Sequence, residues 1–113
     1  MNECRQGDIV WANLDPVHGS EQAGKRPVVI ISGDAMNGGT TNRIVCPLTT
    51  QMKQKHRVRV FVEKNSINGL AADSEVLVAQ VRTLSIDRFG KTIGCVSGTQ
   101  LKEIKELLVE ILE

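Results

Sequence analysis

Apolar positions along most of this chain fall in short alternating or continuous runs of strand length, and a helical period appears only in its last stretch. Residues 8–14 alternate and predict a half-buried strand that carries the single tryptophan, Trp11. Pro27-Val28-Val29-Ile30-Ile31-Ser32 is a short apolar run opened by proline, which suits the first residue of a central strand. Residues 43–49 predict a third strand. Residues 57–63 predict a fourth, with Val58, Val60 and Val62 on one face. Residues 75–83 form another β-rich run and residues 92–96 a last one, while Asn68-Gly69 and Gly90-Lys91 supply turn chemistry. In the tail, Leu101, Ile104, Leu108 and Ile111 fall on one helical stripe, with Lys102, Lys105, Glu106 and Glu110 largely away from it. Ser97 followed by Gln100 fits a capping box for that helix. The pattern predicts a mainly β fold with a C-terminal α-helix, built as a small, strongly bent sheet or barrel.

Composition narrows the class. At 113 residues the chain has the usual size of one domain, expected over residues 1–113, without linkers, repeats or low-complexity segments. A hydrophobic fraction of 41% and a charged fraction of 24% are those of an ordinary globular protein. No apolar run approaches the ~20 residues needed to span a bilayer, and the first residues carry an acid and lack an apolar core. The expectation is a cytoplasmic protein without membrane contact. Cys4, Cys46 and Cys95 are an odd, widely spaced set without a Cys-x-x-Cys pair, so reduced thiols are expected, with Cys46 and Cys95 filling strand positions.

Net charge is +1, but its distribution is uneven. Residues 1–60 hold eight Lys/Arg against five Asp/Glu, and residues 61–113 hold six against eight. Lys53, Lys55, His56, Arg57 and Arg59 cluster without an intervening acid, a set that can follow a phosphate backbone or simply form a solvated face. Two loops stand out. One, residues 15–25, is long for a connection between neighbouring strands and rich in polar residues. It ends at Arg26, which Pro27 pushes into an extended backbone. The other, residues 50–56, follows Thr49. If the strands entered by Arg26 and left by Thr49 are neighbours, an arginine fork and a threonine hydroxyl face one another at a loop-covered cleft.

These residues carry a resemblance. The block Gly7-Asp8-Ile9-Val10-Trp11, then Leu14-Asp15-Pro16, then Gly19-Ser20-Glu21-Gln22-Ala23-Gly24-Lys25-Arg26-Pro27-Val28-Val29-Ile30 resembles the N-terminal half of the MazF/PemK toxins. Pro47-Leu48-Thr49-Thr50-Gln51, Asp73-Ser74 and Gln80-Val81-Arg82-Thr83 are similar to the same family, in its order and spacing. The resemblance runs from about Arg5 to Leu112. It implies an SH3-like barrel with a C-terminal helix, a homodimer, and cleavage of single-stranded RNA with neither metal nor cofactor. It also implies a partner antitoxin whose C-terminal segment covers the RNA site.

Residue by residue, the resemblance gives Arg26 the place of the family's catalytic arginine and Thr49 that of its catalytic threonine. Ser20, Glu21 and Gln22 match first-loop residues that border the substrate, and Gln80 matches a strand position near the same cleft. Lys25, Thr50, Gln51 and Lys53 complete the expected RNA-binding set. The Kid branch has an acid just before the equivalent of Gln80 and a histidine at the place of Ser20. Here Ala79 and Ser20 stand there, so the arginine-plus-threonine version fits better.

RNA carries its own nucleophile, the ribose 2′-OH. In-line attack on the adjacent phosphorus gives a 2′,3′-cyclic phosphate and a 5′-hydroxyl. Such an enzyme must hold the strand, neutralise the developing charge and manage two protons. A planar arginine fork meets two phosphate oxygens at once, and a threonine hydroxyl can donate to phosphate or orient the nucleophile. Arginine, with a pKa of about 12.5 or more, is a poor proton shuttle, so Glu21 is the candidate base and His18 a lesser one. Each residue has a plainer reading. Arg26 can pair with Glu21 or Asp15, Ser20 and Gln22 can satisfy the loop backbone, and Arg82 suits a structural or interface ion pair.

With three aromatics and no tyrosine, stacking platforms are expected to be scarce and Trp11 to be core, leaving base recognition to loop backbone groups and Ser, Gln and Asn side chains. The competing class is a CcdB-like toxin that shares the fold and poisons DNA gyrase by binding. The tail glutamates Glu103, Glu106, Glu110 and Glu113 offer no recognisable version of its contacts. A silent SH3-like module would need an aromatic groove. The scattered acids Asp8, Asp15, Glu21, Asp34, Asp73 and Glu75 show no ligand spacing for a metal.

Overall fold

The sheet is organised around the apolar run in the first half of the chain. The computed structural model describes residues 4–16, 19, 24–52 and 58–113. Its centre is three antiparallel strands, β1 (Asp8–Asn13), β2 (Lys25–Ile30) and β3 (Asn42–Thr49). With β4 (Arg59–Val62), β5 (Ser74–Leu77), β6 (Arg82–Ser85) and β7 (Phe89–Cys95), the seven described strands run in the order β4-β5-β3-β2-β1-β7, and β6 also pairs with β3. Helix α1 (Asp34–Gly39) connects β2 to β3, and α2 (Gly98–Leu112) follows β7. Among the described residues no ladder joins β4 to β7, so the bent sheet is barrel-like but open. The expected mainly β fold with a C-terminal helix is present.

The continuous run at Val28, Val29 and Ile30 has a clear cause: the central strands are covered on both faces. Ile9, Val29 and Cys46 belong to one core cluster, while their neighbours Val10, Val28 and Val45 belong to a second. Each fully buried side chain of this kind stabilises the fold by roughly 1.5–3 kcal/mol. Burial also pushes the Cys46 thiol up from its ordinary 9.0 to about 12, and all three cysteines are free, as their spacing implied.

Strand β3 serves two partners in succession. Asn42 to Val45 pair with β6, and Leu48 and Thr49 pair with β5. The run at residues 75–83, expected as one strand, is therefore two. A 3-10 turn at Val78–Gln80 breaks it, because its halves follow the two ends of a bent strand. Helix α1 had no periodic signal, since its segment holds Gly38 and Gly39. Side-chain bonds hold it: Ser32 Oγ donates to Asn37 Oδ1 at 2.6 Å and Asn37 Nδ2 donates to the Ser32 carbonyl at 2.7 Å.

Helix α2 starts as expected. Ser97 Oγ accepts from the Gln100 N–H, and Gln100 Oε1 accepts from the Ser97 N–H. Leu101, Ile104, Leu107 and Leu108 pack on the core, but Ile111, expected on the same stripe, is 37% exposed. Among the described residues no helix is long and apolar enough to cross a membrane.

Candidate active site

Arg26 and Thr49 meet where β3 leaves β2. The last residues paired between these strands are Val28 and Pro47, and proline has no N–H with which to extend the ladder. Carrying that register two residues further places Arg26 opposite Thr49. Both line a cleft of about 280 Å³, together with Lys25 and Thr50. Arg26 lies in β2, between Lys25 and Pro27, and is partly buried. Thr49 is 3% exposed, and its Oγ accepts the Gln51 N–H at 3.1 Å. With one lone pair so engaged, the hydroxyl proton is available to donate into the cleft.

The facing wall is formed by Gly69, Leu70, Ala71 and Ala72. This loop is rigidly seated. Asn68 is buried, its Nδ2 donates to the Glu63 carbonyl at 2.8 Å, and its Oδ1 accepts from the N–H groups of Asn65 and Leu70. Asp73 Oδ1 accepts from Lys64 N at 3.0 Å and closes the loop at its base. The loop presses on β7 so closely that only glycine fits at two places. A Cβ on Gly69 (φ +69) would lie 2.1 Å from the Ile93 carbonyl oxygen, and one on Gly94 would lie 2.3 Å from that of Ile67. Beside Gly94, β7 bulges. Ile9 pairs with Gly94 and Val10 with Thr92, so Ile93 is an extra residue, and it also lines the cleft.

The other anticipated site residues divide. Gln51 adjoins the cleft through its bond to Thr49 and accepts at its carbonyl from Arg59 Nη1 at 2.9 Å. Gln80, in the 3-10 turn, does not line the cleft. Ser20, Glu21, Gln22, Lys53 and His18 lie outside the described residues. Of the basic cluster, Arg59 is described, and its charge is committed to Glu75 at 2.9 Å. Asp15 Oδ1 accepts from Gly24 N at 3.0 Å, which closes the ends of the first loop. Arg82, expected in a structural or interface ion pair, donates within this chain from Nη1 to the Leu14 carbonyl at 3.3 Å. Among the described residues no group of three His, Cys, Asp or Glu could hold a metal ion.

Trp11 overturns its expectation. It is 42% exposed, not core, and lines both the cleft of Arg26 and Thr49 and an adjoining cleft of about 430 Å³. Alternation along β1 puts Trp11 on the same face as buried Ile9, but at a point where that face opens into the two clefts. Gly90 and Lys91, expected as a turn, lie within β7 instead and form part of that second cleft.

Comparison with known proteins identifies the family and the fold. The family model described as PemK-like, MazF-like toxin of type II toxin–antitoxin system matches residues 5–112. Endoribonuclease MazF of Staphylococcus saprophyticus subsp. saprophyticus is 38% identical over 105 residues, covering 92% of this chain and 87% of that protein. The crystal structure of MazF from Deinococcus radiodurans superposes with a TM-score of 0.83 at 27% identity, covering 96% of this chain and 94% of that one. A MazE–MazF structure from the same organism gives 0.75 at 25% identity, covering 96% and 93%.

Proposed function

The chain belongs to the PemK-like, MazF-like toxins of type II toxin–antitoxin systems, and from that premise we propose that it is a one-domain endoribonuclease cutting single-stranded RNA without a metal. The observation that carries this reading is the meeting of Arg26 and Thr49 in one cleft across the end of the β2–β3 ladder. The staphylococcal relative is named an endoribonuclease, which supports the same activity here.

In this reading the scissile phosphate sits between β2 and β3. The guanidinium of Arg26 spans two of its oxygens and neutralises the charge that grows as the 2′-OH attacks. The Thr49 hydroxyl donates to a phosphate oxygen, its orientation fixed by the bond it accepts from Gln51. Lys25 and Thr50 hold the adjoining backbone. The bond from phosphorus to the 5′-oxygen breaks, leaving a 2′,3′-cyclic phosphate and, once the leaving oxygen is protonated, a 5′-hydroxyl. Glu21 is assigned as the base that removes the 2′-OH proton.

The protein works in the cytoplasm as a homodimer and is neutralised by an antitoxin. Support for the partner comes from the Deinococcus toxin of this family, which is solved together with MazE. The gyrase-binding reading is not favoured, since the matching relatives are MazF toxins. End-group mapping tests the chemistry. RNA cut by this protein must carry 5′-hydroxyl ends and cyclic phosphates, and a 2′-O-methyl strand must resist. Cleavage of the 2′-O-methyl strand, or 5′-phosphate ends, would rule the mechanism out.

A further inference from the structure

We propose that the second cleft, lined by Trp11, Lys25, Arg88, Phe89, Gly90 and Lys91, is a subsite that stacks and holds an unpaired nucleotide flanking the cut, an inference resting on the ribonuclease reading above. Its volume of about 430 Å³ lies within the ~300–1,000 Å³ typical of ligand sites. It shares Trp11 and Lys25 with the cleft of Arg26 and Thr49, so a strand leaving one enters the other past these two side chains.

The local backbone builds this surface. Val10 pairs with Thr92 and Ala12 with Phe89, so Gly90 and Lys91 together face Trp11 in a second bulge of β7. Bulges re-aim side chains and are frequent beside active sites. A Cβ on Gly90 would lie 3.7 Å from Cβ of Trp11, so a longer side chain there would take the indole's space. Arg88 is anchored without a carboxylate: its Nη1 donates to the Asn13 carbonyl at 3.2 Å and to the carbonyl of Asp15. The described lining thus has two aromatics, three cations and no acid.

An aromatic face beside cations that follow a phosphate chain is how proteins hold single-stranded nucleic acid. An acidic peptide has complementary charge too, but continuity with the candidate catalytic cleft favours RNA.

Trp11 is the chain's single tryptophan, so its fluorescence reports the junction of the two clefts, and Lys91, which lines only the second, separates them. The probe is a single-stranded 2′-O-methyl RNA of mixed sequence, which lacks the attacking hydroxyl and stays intact. Its binding quenches Trp11 fluorescence saturably. In a gel-shift assay Trp11→Ala weakens binding roughly five- to hundredfold, the range for one lost base stack. Lys91→Ala, at an exposed position, lowers the slope of log K against log salt by about 0.7, one phosphate contact. If the RNA binds while fluorescence and both variants' affinities and salt slopes are unchanged, the subsite is refuted and the ribonuclease reading stands. If wild-type protein neither binds nor cuts RNA, both fall together. Quenching by a glutamate-rich peptide but not by RNA also overturns the subsite and makes this face a protein-docking surface.

Discussion

Arg26 and Thr49 line one cleft at the point where β3 turns from β2 toward β5. The β2–β3 register, carried two residues past the Val28–Pro47 pair, sets them opposite one another. The ladder's end makes the cleft, and the register sets Arg26 against Thr49 in it. A one-residue slip of either strand would put the two side chains on opposite faces of the sheet.

Thr49→Val keeps the shape of the side chain but removes the hydroxyl. Cleavage should fall about a hundredfold, the effect of one lost charge-stabilising donor, while Thr49→Ser retains most of the activity. The Gln51 N–H loses its acceptor in the valine variant, at a stability cost of roughly 1 kcal/mol. Thermal unfolding run beside the kinetics separates the two effects. A Thr49→Val enzyme as fast as wild type would remove the hydroxyl from the mechanism.

The wall opposite Arg26 depends on Gly94 in β7 and Gly69 in the loop between β4 and β5. Gly94→Ala drives a methyl against the Ile67 carbonyl, 2.3 Å from the new atom. It should cost about 1–3 kcal/mol, seen as a lower urea midpoint, and should slow cleavage as Gly69–Ala72 shifts. Gly98→Ala meets nothing within 4 Å and should change stability by less than about 0.5 kcal/mol. Equal midpoints for the two variants would contradict the packing described.

Much of this was legible in the residues because it rests on local pattern. Alternation found the strand around Val10, a continuous apolar run that around Val29, and Ser97 with Gln100 announced the start of α2. The Arg26-Pro27 and Leu48-Thr49 motifs marked both sides of the cleft before their pairing was known. What escaped depends on contacts distant in sequence. Helix α1 is held by Asn37 and Ser32, not by propensity. The wall at Gly69 is set by contact with Ile93. Trp11 was expected in the core, yet it stands where the face it shares with buried Ile9 opens into the two clefts, which only the arrangement of distant segments sets.

Cys46 sets an alkaline limit on stability. Its thiol is pushed up to about 12 by burial, against 9.0 when unfolded. The neutral thiol is thus favoured in the folded protein, and this contribution is complete below pH 9.0 and lost as pH rises toward about 12. Stability measured by denaturant should fall across that window, and Cys46→Ala, though less stable at neutral pH, should show a shallower decline. Parallel pH profiles would contradict the assignment. At neutral pH the native Cys46 should resist thiol reagents that label it after unfolding.

The most direct test of the central claim is to incubate wild-type protein and Arg26→Ala, each freed of any antitoxin, with long single-stranded RNA in excess EDTA. Discrete fragments from the wild type, reduced at least a hundredfold for a folded Arg26→Ala protein, are the expected result. Intact RNA with the wild type across varied sequences, or equal cutting by the two proteins, would contradict the account.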